Sequence, residues 1–423
     1  MTKVLISVIN DLASDQRMDR TARTLQKNGF EVLLIGRKLK NSPPLSRPYS
    51  TKRMNLLFTR GPLFYAAYNI RLFLFLLFHK ADAYLSVDLD TLPANYLASL
   101  VKNRALIFDS HEYFPEVPEL VHRPFVKKIW LKMEQWMVPG LRHAYTVSNS
   151  IAGIYKQKYN INFMIIRNLP YFLGSPDGHQ DGALDLSEGQ HHDQELNHNS
   201  YEHKRSSEMQ SIQGAYRSQN HGHPVSNFDA VKSDIPYGHY VIIYQGALNM
   251  GRGLENLIRA MTYLDNYHLL LAGEGDLESA LKELCTKERV ENKVCFTGRI
   301  IMEELFRYTQ LGDIGVSLEE DLGLNYRYAL PNKLFAYIQS HLPVLVSNLP
   351  EMASIVKKYD IGLVNHHHEP MQMALDIKLI CEDEEKRKHW KANLELAASE
   401  LCWEKEEQKL VDLFEKIKHD KET

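Results

Sequence analysis

The sequence predicts an α/β protein of two doubly wound parallel-sheet domains that face each other across a cleft. Short runs of β-branched and aliphatic residues alternate with segments of helical period from the first residues onward. That rhythm stops between residues 174 and 236 and then resumes. Strict alternation is what a parallel sheet covered by helices on both faces requires. At 423 residues the chain has room for two domains of roughly 150 to 200 residues.

In residues 1–173, the first domain, strands are expected at 4–8, 32–35, 83–87, 106–108, 144–147 and 163–166, with helical segments such as 17–28 between them. The most apolar stretch is 63–78. It contains Asn69 and Arg71, and its unbroken part, LFLFLLF, is only seven residues. That is well short of the roughly 20 needed to span a bilayer. A buried helix packed on the sheet is expected there, with a lipid-touching face as the alternative.

Residues 174–236 are polar and histidine-rich, with few aliphatic residues and no period. A disordered insertion is expected, because such a segment cannot bury a core. Its histidines have no spacing that fixes a metal geometry. The second domain, residues 237–400, opens with VIIYQG and continues through LENLIRAM, HLLLAGEG, VCFTG and LPVLVS. Residues 401–423 hold a charged amphipathic helix whose docking site the sequence does not reveal.

Apolar residues make up 44% and charged residues 24%, as in packed globular proteins. Cys285, Cys295, Cys381 and Cys402 form no C-x-x-C pair, so neither a disulfide framework nor a zinc site is indicated. The chain opens straight into the β-like VLISV run, unlike a signal peptide. A cytoplasmic protein is expected. The net charge of −3 divides unevenly: 24 basic and 12 acidic residues up to Ser175, then 26 and 41. A basic half is drawn to an anionic membrane surface or an anionic acceptor, so peripheral attachment at the inner face of the cell membrane is an expectation. No nucleic-acid partner is expected.

In open parallel sheets, ligands bind beyond the carboxyl ends of the strands. Glycine-containing or polar clusters follow strands at 10–17, 88–91, 109–119, 246–253, 273–276, 297–299 and 317–333. In YQGALNMGRGLENL, Gly246, Gly251 and Gly253 let backbone amides approach an anion and Arg252 adds a fixed cation, which suits a diphosphate. A tight turn explains the glycines equally well. In LPNKLFAYIQS, Asn332 and Lys333 put amides and a cation at a helix start with Pro331 in its first turn, although an exposed lysine would look the same. His111 and Glu112 follow a buried strand, where they could bind a hydroxyl or move a proton. Adjacent residues usually diverge, so one of the two is expected to face the cleft.

These motifs carry a resemblance. From Tyr240 to Val364 the chain resembles the nucleotide-sugar domain of GT-B, family-4-type retaining glycosyltransferases (glycosyl transferases group 1). The matching segments are YQGALNMGRGLENLIRAM, LLLAGEGD, VCFTGRI and PNKLFAYIQSHLPVLVSN. NDLASDQRMDR, DLDTLPA and DSHEYFPEVPEL resemble the acceptor domain of one subgroup. The resemblance implies two Rossmann-like domains of GT-B type, a nucleotide-diphosphate sugar donor, and a glycan or lipid-linked acceptor in surface polysaccharide or glycoconjugate synthesis. No cofactor and no metal are implied.

It also implies that Gly246 and Arg252 lie at the donor diphosphate and that Gly273 and Gly275 shape the nucleotide pocket. Arg299 would sit beside the base through its backbone, Asn332 and Lys333 would flank the phosphates, and His111, with Glu112, would lie near the transferred sugar. Asp88-Leu89-Asp90 is similar to the D-x-D of metal-dependent glycosyltransferases of another fold, but either aspartate could simply cap a helix beginning near Pro93. Three positions depart from the pattern. Ala247 replaces an arginine, and Tyr328 and Ala336 replace paired glutamates eight residues apart, with Glu319, Glu320 and Asp321 out of register. A retaining, metal-independent transferase is the main reading. A glycosyltransferase-like binding subunit and a nucleotide-sugar epimerase are the alternatives.

Overall fold

The computed structural model describes residues 1–13, 15–40, 42–117, 120, 123–173 and 227–419. Its first sheet comprises β1 (Lys3–Asp11), β2 (Glu31–Lys38), β3 (Ser50–Asn55), β4 (Ala83–Val87), β5 (Ala105–Ser110), β6 (His143–Thr146) and β7 (Met164–Ile165). All pairings are parallel, in the order β3-β2-β1-β4-β5-β6-β7. The helices between them are α1 (Gln16–Lys27), α2 (Gly61–Phe78), α3 (Asp88–Lys102), α4 (Pro124–Met137) and α5 (Asn149–Tyr159).

After α6 (Phe228–Asp234) the second sheet comprises β8 (Tyr240–Gln245), β9 (Tyr267–Ala272), β10 (Val294–Gly298), β11 (Ile314–Ser317), β12 (Val344–Ser347) and β13 (Gly362–Asn365). It is parallel throughout, in the order β10-β9-β8-β11-β12-β13. Its helices are α7 (Leu254–Ala260), α8 (Glu278–Glu288), α9 (Met302–Thr309), α10 (Leu324–Arg327), α11 (Asn332–Gln339), α12 (Pro350–Tyr359), α13 (Pro370–Glu382), α14 (Glu384–Glu400) and α15 (Trp403–His419).

Helices cover both faces, so the central strands bury every side chain, as AYLSV of β4 and YHLLLA of β9 do. Such strands read as unbroken apolar runs. Edge strand β3, STKRMN, was not expected: among its residues only Met54 is buried, and Lys52 and Arg53 guard the open edge.

Strand order reverses once per sheet, between β1 and β4 and between β8 and β11. Chains leave these neighbours toward opposite faces of the sheet, which opens a crevice at their carboxyl ends. The two crevices form opposite walls of one cleft.

Four expectations need correction. Residues 63–78 belong to α2, but the helix is buried on one side only, through Phe64, Tyr68, Leu72 and Leu76. Those residues recur every four positions, so they form one stripe and leave the opposite stripe to solvent. By length and hydropathy alone α2 could cross a membrane, yet that stripe packs in the domain core. Second, α3 starts at Asp88, and Pro93 lies inside it. Third, α6 falls within the stretch expected to be disordered: Val231 is buried and Phe228 packs edge-on against Tyr308, 5.1 Å between ring centres. Residues 174–226, with all the histidines of that stretch, lie outside the described residues. Fourth, Pro331 precedes α11 and does not stand in its first turn.

The closing helix α15 has a definite seat. It returns to the first domain, where Trp403, Leu410, Leu413, Phe414 and Ile417 share a core with Met18, Ala22 and Phe30. The Trp403 indole donates to Thr24 Oγ1 at 2.9 Å.

Candidate active site

The cleft has a volume of about 860 Å³ and is lined from both domains. On the second-domain wall the loop after β8 carries Gly246 to Gly253. Gly253 takes φ 69, and a Cβ there would lie 2.2 Å from Leu318 O, so glycine is required. The same holds one turn away at Gly273, where a Cβ would meet Gly246 O at 2.0 Å. Two tyrosines hold the loop by its carbonyls: Tyr244 Oη donates to Ala247 O at 2.7 Å, and Tyr326 Oη to Met250 O at 3.0 Å.

Glu319, just beyond β11 at the switch point, is the residue that ties this wall together. Its side chain has no exposure. Oε1 accepts from Lys333 Nζ at 2.8 Å and lies 3.4 Å from Arg252 Nη1, while Oε2 accepts from Ser317 Oγ at 2.7 Å. Burial pushes its pKa up, but Lys333, Ser317 and Arg252 together outweigh burial and hold it below the ordinary value. Lys333 also stands 4.0 Å from the centre of the Tyr244 ring, and Arg252 lies over Tyr326. Two cations are thus fixed on one carboxylate at the cleft wall, leaving one positive charge in excess.

The opposite wall is built around His111. Its backbone N–H donates to Asp88 Oδ1 at 2.9 Å, and Nδ1 lies 3.1 Å from Asp88 Oδ2. This two-point grip fixes the ring plane. Nε2 lies 4.0 Å from Asp109 Oδ2, and the other Asp109 oxygen accepts from Arg17. Asp88 holds its position with φ 57, a left-handed conformation uncommon for a residue with a side chain. Burial, then Asp90, Glu112 and Asp109, push Asp88 well above the ordinary carboxyl range. Burial and Glu112 push Asp90 up to about 8. Asp109 rises to about 6 because burial outweighs its bond to Arg17.

The walls meet through hydrogen bonds of asparagine side chains. Asn325 Oδ1 accepts from Tyr113 N at 3.2 Å and its Nδ2 donates to Glu112 Oε2 at 3.3 Å. Asn168 Nδ2 donates to Asn332 Oδ1 at 3.0 Å, and Arg20 in turn donates to Asn168 at 2.7 Å.

Two family profiles match this chain: Glycosyltransferase Family 4 over residues 16–168 and Glycosyl transferases group 1 over residues 226–396.

The chain belongs to the family 4, group 1 glycosyltransferases.

Its fold is similar to that of sucrose-phosphate synthase from Thermosynechococcus elongatus, with 13% identity, a TM-score of 0.74, and 99% of this chain and 100% of that one covered. It is also similar to the Anabaena HepE protein solved with UDP-glucose, with 13% identity, a TM-score of 0.65, and 98% and 100% covered. Both likenesses establish the fold, two Rossmann-like domains in the GT-B arrangement. An uncharacterized glycosyltransferase of Methanocaldococcus jannaschii is 28% identical over 148 residues, which is 34% of this chain and 36% of that protein.

Against this glycosyltransferase frame, Gly246, Arg252, Asn332, Lys333, His111 and Glu112 all line the one cleft. Both His111 and Glu112 reach it, contrary to the expectation for neighbours, because the chain turns there, with Ser110 Oγ donating to Glu112 O at 2.9 Å. Gly273 and Gly275 lie behind the lining: a Cβ on Gly275 would sit 2.5 Å from Leu248 N, so both set the shape of the donor loop from beneath. Arg299 is not on the wall. Its side chain is 77% exposed and lies 3.8 Å from Glu274.

Ala336 presents its methyl to the cleft, whereas Tyr328 packs on the first-domain core, its carbonyl accepting from Ser148 Oγ at 3.4 Å. Lys333 is buried, not an exposed helix-start lysine. Asp88 grips His111 and makes no helix cap. The sequence reading missed Glu319, Asn325 and Asn168. The signal for Glu319 was its place immediately after β11, at the reversal of strand order.

Two predictions follow from this electrostatics. Glu319→Gln leaves Lys333 buried without an anion, so stability at neutral pH falls by about 3–5 kcal/mol. Adding Lys333→Met recovers part of the loss. The wild-type pair stabilises above the ordinary carboxyl range and fades as the pH falls through the lowered folded-state value, so the Gln variant loses that acid dependence. Urea unfolding across pH checks this, and a loss under about 1 kcal/mol contradicts the role given to Glu319.

Asp90 has the opposite sign. Its folded pKa of about 8 lies above the ordinary 3.8. Its contribution is therefore full below the ordinary value and is lost as the pH rises through about 8. Asp90→Asn removes that loss, so its stability relative to wild type grows between about pH 5 and about pH 9. An equal difference at both pH values refutes the burial of a raised carboxyl.

Proposed function

We propose that this chain moves a sugar from a nucleotide-diphosphate donor, held on the second-domain wall, to a glycan or lipid-linked acceptor on the first. The reaction retains configuration at the anomeric carbon and needs no metal. The observation that carries this reading is the joining of Arg252 and Lys333 on Glu319 beside the Gly246 loop. A diphosphate placed there meets two fixed cations that require little rearrangement, the form of stabilisation that counts most as charge develops on a leaving group. The HepE relative, solved with UDP and with UDP-glucose, supports a nucleotide-sugar donor.

In the proposed step the bond from the anomeric carbon to the diphosphate oxygen breaks, and a bond to the acceptor oxygen forms on the same face. The acceptor's proton passes to the departing phosphate, so no protein nucleophile is required. His111, held by Asp88, positions the sugar or acceptor hydroxyl from across the cleft, and Glu112 sets the distance between the walls through Asn325. Asn168 and Asn332 tie the walls at a second point.

One observation favours a second reading. Where the family pattern has a carboxylate for the donor ribose, Ala336 offers a methyl group to the cleft. A chain with weak donor affinity that serves as a binding subunit is consistent with that.

A panel of nucleotide sugars, scored for hydrolysis and for transfer, separates the two. The transferase reading predicts turnover with at least one donor. Arg252→Ala then lowers donor-dependent kcat/KM roughly ten- to a hundredfold, as loss of a charge-assisted contact does. His111→Ala lowers kcat more than donor affinity. No binding of any donor at millimolar concentration favours the subunit, and unchanged kinetics in Arg252→Ala removes that residue from the site.

A further inference from the structure

The outer helical layer of the first domain has an unusual composition. Helices α2, α3 and α4 lie side by side on one face of the sheet. Tyr65 of α2 meets Trp130 of α4, and Tyr96 of α3 meets Trp136 of α4, with ring centres 5.2 and 5.7 Å apart. Their outward surface is apolar at Ile70, Leu74 and Phe78 on α2, Leu100 on α3, and Phe125 and Trp136 on α4. Single exposed apolar side chains are ordinary on any protein, but a group of this size on adjoining helices is not.

The charge on this layer is one-sided. The three helices contain only Asp88, Asp90 and Glu134 as acids. Asp90 and Glu134 are buried, and Asp88 is engaged by His111 in the cleft. The same helices and the turns at their ends carry cations instead: Arg60, Arg71, Lys80, Arg104, Lys128 and Lys132 are all exposed. Among the described residues none of the six is ion-paired to a carboxylate. At the end of α2 a hollow of about 420 Å³ joins both features, with Lys52, Arg53 and Arg71 beside Leu74 and Phe78.

We propose that this face docks on an anionic lipid bilayer, with the apolar side chains entering the headgroup boundary and the cations meeting lipid phosphates. The hollow is the size to receive one headgroup. Charge complementarity selects this occupant: a second copy of the same face would set six cations against six, with no carboxylate to relieve the repulsion. An aqueous anion alone leaves the apolar patch unexplained. A surface that combines exposed aromatic and aliphatic residues with lysine and arginine matches the interface of a bilayer in both respects. The docking itself does not depend on the transfer reaction.

The test uses the full chain and sedimentation with vesicles of phosphatidylcholine alone or with about a third phosphatidylglycerol. The chain binds the anionic vesicles at low salt and is released as salt rises. Lys128→Glu with Lys132→Glu weakens binding at least about tenfold, and Leu74→Glu with Phe78→Glu does the same. Leu74 and Phe78 are 49% and 84% exposed, so the second pair leaves the fold intact, as circular dichroism and the unfolding midpoint will register. Failure to bind anionic vesicles, equal binding to neutral ones, or indifference to both pairs of changes overturns the proposal. So does a dimer in sedimentation velocity that the Leu74 and Phe78 changes disperse, since a second copy would then be the occupant.

Discussion

A single buried carboxylate, Glu319, is what the donor wall depends on. Lys333 is 8% exposed and would be an uncompensated charge without it. Arg252 would lose the contact that orients it, and the loop from Gly246 to Gly253 would lose its electrostatic anchor at the sheet. The pairing is stable because one carboxylate offsets most of the charge of the two cations. It is receptive to an anion because they do not cancel fully.

The first-domain wall solves a different problem. Asp88, Asp90 and Asp109 stand close together beside Glu112, and burial makes ionising all three aspartates costly. The result is a set of raised pKa values around a histidine whose ring is held at one nitrogen and by its own backbone. Both walls occupy the places where strand order reverses. The same topological rule therefore put the anchoring residues Asp88 and Glu319 at the carboxyl ends of β4 and β11. Asparagine bridges join the walls, and the buried carboxylate of Glu351 accepts from Ser150 N at 2.8 Å across the same boundary.

Much of this was legible in the sequence, and for a clear reason. Strands such as β4 and β9 are covered on both faces and so read as unbroken apolar runs, while the glycines at 246, 253 and 273 mark backbone contacts that no side chain fits. What escaped notice depends on contacts between segments distant in sequence or on exposure. Strand β3 is an edge strand with one buried residue, so it carries no apolar run. Glu319 was set aside because it falls outside an eight-residue spacing, although its function comes from meeting Lys333 across the crevice. The one-sided burial of α2 was hidden because both of its stripes are apolar, one for the core and one for the surface.

Calorimetric binding of nucleoside diphosphates against the matching monophosphates most directly tests whether the Glu319 cluster receives a diphosphate. The second phosphate should strengthen binding at least about tenfold through charge-assisted contacts, and that advantage should shrink strongly in Lys333→Met with Glu319→Gln, which removes one cation and the anion together. Equal affinity for mono- and diphosphates, or an advantage untouched by the double change, would contradict the account.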